Sequence, residues 1–70
     1  MNEPLSKRQK ALRGRRVTDM TDAQLRDWIN ACERMERWSL VPNKARRGWK
    51  ASHAKAVTEL ETRRRRAPKV

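Results

Sequence analysis

The chain of 70 residues has one cysteine, one histidine, two glycines and neither phenylalanine nor tyrosine. Each shortage excludes something. A lone Cys32 cannot form an intramolecular disulfide, and one cysteine with one histidine makes no metal-ligand set. No Ser/His/Asp grouping or carboxylate pair stands out around His53, so the residues predict no enzyme, no cofactor and no metal. No stretch approaches the ~18 consecutive apolar residues of a membrane-spanning helix. No apolar run follows the N-terminal charges either, so neither membrane insertion nor a signal peptide is expected, and the expected compartment is cytoplasmic. Acidic residues are scarce too: 8 against 19 Lys and Arg, for a formal net charge of +11.

The positive charge is not spread evenly. Residues 1–18 carry six basic side chains and one acidic; residues 19–42 carry three basic and five acidic. Residues 43–62 then carry five basic and two acidic, and residues 63–70 five basic and none acidic. A nearly neutral middle thus lies between two cationic ends, a distribution that attracts polyanions. The ends are poor in apolar groups, so they read as a flexible basic N-terminal arm over 1–18 and a flexible tail over 67–70. Pro4 and Gly14 interrupt that arm, leaving room for a turn or two of helix over Lys7 to Leu12.

Between the ends the periodicity is helical. Thr21, Asp22, Ala23 and Gln24 fit a capping box, with Met20 and Leu25 placed as a hydrophobic staple. Leu25, Trp28, Cys32 and Met35 follow at spacings of three and four, and Ile29 widens the stripe. Pro42 disfavours helical geometry at Val41, so a first helix should end near Trp38 or Ser39. Asn43 can cap a second helix, read as continuous through Gly48 to about Arg64 and extendable through the arginine run. Its poorer stripe is Trp49, His53, Ala56, Val57 and Leu60. The expected fold is all-α: a 19–66 antiparallel two-helix hairpin with basic flexible arms. Its core is small enough that a homodimer, two hairpins in a four-helix arrangement, is expected to complete it. The residues assigned to that packed interface are Leu25, Trp28, Ile29, Cys32, Met35, Trp38, Trp49, Val57 and Leu60.

For each notable residue a plain reading stands beside the functional one. Cys32 on an apolar stripe is an ordinary buried thiol. His53 beside Trp49 is a boundary histidine, with a pH-sensitive contact as the alternative. Trp28 belongs to the core and Trp49 packs across from the first helix. Trp38 lies off the main stripe, where it would flank the turn, pack in a dimer or anchor a partner. Glu59–Arg63 and Glu61–Arg65 are spaced to pair along the second helix, which leaves Arg64 and Arg66 freer.

The candidate nucleic-acid-binding residues are therefore Lys7, Arg8, Lys10, Arg13, Arg15 and Arg16 in the arm, Lys44, Arg46, Arg47 and Lys50 at the start of the second helix, and Arg64 and Arg66 at its end. Lys55 joins the second group on the outer side of the helix. Such residues neutralise phosphates and favour affinity over sequence choice. A helix-turn-helix is a poor fit, because the first helix is long and the connection reads as a hairpin bend. In general plan the chain resembles small helical accessory proteins of bacteria or phages. The leading expectation is a small DNA-binding accessory or regulatory protein that acts on duplex DNA or another polyanion by non-covalent contact. The alternative is a protein-binding modulator, of the kind a phage encodes, that docks its hairpin on an acidic host-protein surface.

Overall fold

The computed structural model describes residues 4–66. Within them the chain is all-α: a short helix α1 (Lys7–Ala11), a 3-10 turn at Val17–Asp19, a helix α2 (Asp22–Arg37) and a long helix α3 (Asn43–Arg66). α2 and α3 pack as an antiparallel hairpin, since the end of α2 meets the start of α3 at Trp38 and Arg46 while Arg63 reaches back to Asp22.

α2 begins where the capping box places it. Thr21 Oγ1 accepts from the Gln24 amide at 3.1 Å, and Gln24 Oε1 accepts from the Thr21 amide at 2.9 Å. Met20 and Leu25, the two ends of the staple, are both buried. Trp28, Ala31, Cys32 and Met35 continue the buried face, at the spacing of three and four that puts side chains on one side of a helix. α2 ends at Arg37, and Trp38 turns to extended geometry. The Val41 amide then donates to the Trp38 carbonyl at 3.1 Å, tucking Val41 into the core while Leu40 stays exposed.

α3 runs unbroken through Gly48 for 24 residues, about 36 Å at 1.5 Å per residue. An interior glycine there costs roughly 1 kcal/mol relative to alanine. Asn43, expected as the cap, is instead the first residue of the helix, and its Oδ1 accepts from Arg46 Nη1 at 3.4 Å. Only Ala56 of α3 is fully buried; Trp49 and Leu60 are half-buried against the core, and Val57 is half-buried as well. Trp28 and Trp49 meet with centroids 5.4 Å apart and planes inclined by 51°, a tilted arrangement that aromatic quadrupoles favour.

The structure departs from the sequence reading in the N-terminal segment. The flexible arm expected over 1–18 is, from residue 5 onward, part of the packed body, and residues 1–3 lie outside the described residues. Leu5 and Leu12 are buried in the same core as Leu25 and Cys32, with Val17 packed against it. α1 has its own capping box: Ser6 Oγ accepts from the Gln9 amide at 3.2 Å, and Gln9 Oε1 accepts from the Ser6 amide at 3.0 Å. The Gln9 amide group also donates to the Asp27 carbonyl of α2 at 3.2 Å, so this buried polar side chain is satisfied at both ends. Pro4 and Gly14, read as interruptions, bracket the helix instead. Gly14 takes φ 86°, a left-handed geometry that suits glycine and turns the chain after α1.

The physical reason for the difference is that two leucines, widely spaced among charges, are enough when each fills a gap beside a hairpin that lacks apolar surface. The same fact bears on the expected second copy. Eight of the nine residues assigned to that interface are used within one chain: Leu25, Trp28, Cys32 and Met35 are buried, and Ile29, Trp38, Trp49 and Leu60 pack against them, while Val57 is half-buried. Among the described residues Leu40, at 49 %, is the large apolar side chain left exposed. The tail expected over 67–70 lies outside the described residues.

Candidate nucleic-acid interface

The candidate basic residues separate into those the fold uses and those it leaves outward. Arg46 is used. Its Nη2 donates to the carbonyls of Trp38 at 3.3 Å and Val41 at 3.4 Å, so the guanidinium ties the hairpin connection together. Its Nε is buried and has no hydrogen-bond partner among the described residues. Arg13 lies over the Trp49 indole, 5.4 Å from its centroid, a cation–π contact. Arg8 lies 4.0 Å from the Asp27 carboxylate but is largely exposed, a contact of little weight.

Lys7, Lys10, Arg15, Arg16, Lys44, Arg47, Lys50, Lys55, Arg64 and Arg66 are exposed. The fold brings a subset of these together. Packing Leu12 into the core and turning the chain at Gly14 lays residues 13–18 alongside the middle of α3. A groove of about 500 Å³ lies between the two, lined by Arg15, Arg16 and Thr18 on one side and Ser52 and Lys55 on the other, with Trp28 also reaching it. Lys55 therefore faces Arg15 and Arg16 across an open channel.

Helical spacing extends this arrangement. Lys44, Lys55 and Arg66 are eleven residues apart, close to three turns each, so all three occupy one side of α3. At 1.5 Å per residue they sit about 16 Å apart, and the row is about 33 Å long. Glu59 falls on the same side, but its carboxylate is 3.8 Å from Arg63 Nε, which offsets its charge. Arg47 and Lys50 flank the start of α3, where they line a shallow depression with Asn43 and Arg46. Lys7 and Lys10 stay on α1, and Arg64 points to a different side of α3 from Arg66.

Two features escaped the sequence reading. Arg63 was paired with Glu59 alone, whereas its longest-range partners are Asp22 and the carbonyls of Val17 and Thr18. The row on α3 joins Lys44 and Arg66, which the sequence reading kept in separate groups, and nothing in the sequence placed Arg15 and Arg16 beside its middle member.

Two further titratable side chains lie at the core and its boundary. His53 Nε2 lies 3.3 Å from Glu33 Oε1 across the hairpin, half-buried at the boundary of the core. Burial pushes the Cys32 thiol up to about 12, with the nearby carboxylates of Glu36 and Glu33 adding to the shift, so it stays protonated. Among the described residues no group of three His, Cys, Asp or Glu side chains is placed to hold a metal ion. No helix among them is long and apolar enough to cross a membrane. Comparison with protein-family models, curated proteins and solved structures returned no match.

Proposed function

We propose that the protein binds duplex DNA by non-covalent contact, laying one side of α3 and the adjoining 13–16 segment along the phosphate backbone. The observation that supports this reading is the row Lys44, Lys55 and Arg66, with Arg15 and Arg16 set against its middle. These side chains are exposed while Arg46 and Arg63 take the structural work. A row about 33 Å long matches roughly ten base pairs at 3.4 Å per step. Lysines and arginines so arranged position a protein on a duplex without reading its sequence, which suits an accessory or regulatory role. Within one chain, Leu5 and Leu12 add to the core of the hairpin that presents this surface.

Affinity of nuclease-treated protein for short duplexes, measured across a salt series, tests the reading. Five phosphate contacts give a log–log salt slope of about −4 to −5. Lys55→Gln and Arg16→Gln should each lower affinity on every duplex sequence alike and flatten the slope by about one. Absence of duplex binding at low salt would sink the proposal. Capture of one stoichiometric acidic protein after nuclease treatment, with no duplex binding, would favour the modulator reading in its place.

A further inference from the structure

Gly48 stands in the interior of α3, although glycine is the weakest helix former apart from proline. Its backbone is ordinary helix. A Cβ built there meets nothing within 4 Å, so no neighbour of this chain requires the missing side chain. The space it leaves open is a recess of about 310 Å³, whose walls include Arg13, Trp28, Trp49, Ala45 and Ser52. That volume is at the small end of ligand sites, which run from about 300 to 1,000 Å³. The recess adjoins the basic groove: both are lined by Gly14, Trp28 and Ser52.

A flat group with polar edges fits such walls. The exposed part of the Trp49 indole and the helix backbone at Gly48 offer apolar contact beside the Arg13 guanidinium that lies over Trp49, and the Ser52 hydroxyl offers a hydrogen bond. The groove alongside, with Arg15, Arg16 and Lys55, suits an anion attached to that group. Glycine is favoured where a helix backbone must be closely approached by a ligand. We propose that the Gly48 recess takes one unpaired nucleobase whose phosphate lies in the Arg15–Lys55 groove. The inference rests on the backbone-binding reading and adds to it a subsite for an extruded or single-stranded nucleotide. Contact of a base with the exposed part of an indole and a guanidinium plane tolerates any base, because every base has a π-face.

The test uses the full chain, an oligothymidylate of about ten nucleotides and a deoxyribose-phosphate strand of equal length without bases, with tryptophan fluorescence and direct titration as readouts. The base-bearing strand should bind about tenfold more tightly than the abasic one and quench the indole emission. Gly48→Leu fills the recess with a better helix former, so the fold is retained, as circular dichroism would verify. It should bring the base-bearing strand down to the affinity of the abasic strand. Equal binding of the two strands by the unmodified protein overturns the proposal, and so does an unchanged preference in Gly48→Leu. If the duplex binds and no base preference exists, only the recess is lost. If neither the duplex nor either strand binds, the backbone reading has failed and the recess falls with it.

Discussion

Arg63 Nη1 donates to Asp22 Oδ1 at 2.9 Å, joining the last turns of α3 to the first turn of α2 across 41 residues of chain. Its Nη2 donates to the carbonyls of Val17 and Thr18 at 3.2 and 3.3 Å, and its Nε lies 3.8 Å from Glu59. One guanidinium thus ties three segments together, using the fork of donors that lysine lacks. Asp22 is exposed, so the ion pair alone is weak. The two carbonyls are the larger loss, because they close off the 3-10 turn that carries Arg15 and Arg16 toward α3.

Replacing Arg63 with alanine is therefore expected to lower unfolding free energy by about 1–2 kcal/mol. Arg63→Lys should recover only part of that. Arg64→Ala, on an exposed neighbour in the same run, should stay within about 0.5 kcal/mol of the parent. Urea unfolding of the three variants checks this. Equal small losses for Arg63 and Arg64 would mean that the run acts only as a charged tail.

Leu12 separates a packed N-terminal segment from a loose arm. It is 4 % exposed and sits in the core with Met20 and Leu25. Leu12→Ala should destabilise the whole protein by about 2–4 kcal/mol, the usual range for a buried leucine. A flexible arm would tolerate the change without measurable cost. Proteolysis of the native protein gives an independent readout: cleavage at the arginines before Val17 should be slow in the parent and fast in Leu12→Ala.

The hairpin was legible because its signals are local. The Thr21–Gln24 box, the three-and-four spacing from Leu25 to Met35 and the break at Pro42 act over a few residues, and each lies where the structure has it. In the N-terminal segment the short helix expected over Lys7 to Leu12 is present as Lys7–Ala11, but its packing was not legible, because that depends on contacts far along the chain. Leu5 and Leu12 are isolated apolar residues in a basic stretch, and only the hairpin's unfilled surface gives them somewhere to pack. Candidate site residues follow the same division. Composition picks out Lys44, Lys55 and Arg66 one by one, whereas their common side needs the unbroken α3, and the meeting of Lys55 with Arg15 and Arg16 requires the turn at Gly14 and the Arg63 contacts. Arg46 shows the opposite error: one more cation in a basic run by sequence, it holds the hairpin connection in the fold.

Arg46 accordingly predicts a contrast within the basic cluster. Arg46→Gln removes donors from the Trp38 and Val41 carbonyls and should cost about 1–3 kcal/mol of stability. Arg47→Gln and Lys50→Gln, both on exposed side chains, should leave the unfolding transition almost unmoved. Thermal melts of the three proteins decide it: a shared small effect would place Arg46 on the surface with its neighbours.

Cys32 sets a dependence on alkaline pH. Buried between α2 and the rest of the core, the thiol is raised from its ordinary value near 9 to about 12, first by burial and then by Glu36 and Glu33. In the unfolded chain it ionises near its ordinary value, so over the interval from about 9 to 12 the native state binds the extra proton. A raised native value means that this contribution is complete below pH 9 and is lost as pH climbs toward 12. Stability should therefore fall progressively across that interval because of this group. Cys32→Ala will be less stable at neutral pH, since it leaves a small void, but should show a shallower decline above pH 9. The native thiol should also resist a disulfide reagent at pH 8 and react on addition of urea. Rapid labelling without denaturant would mean that Cys32 reaches solvent and that the α2 core is open.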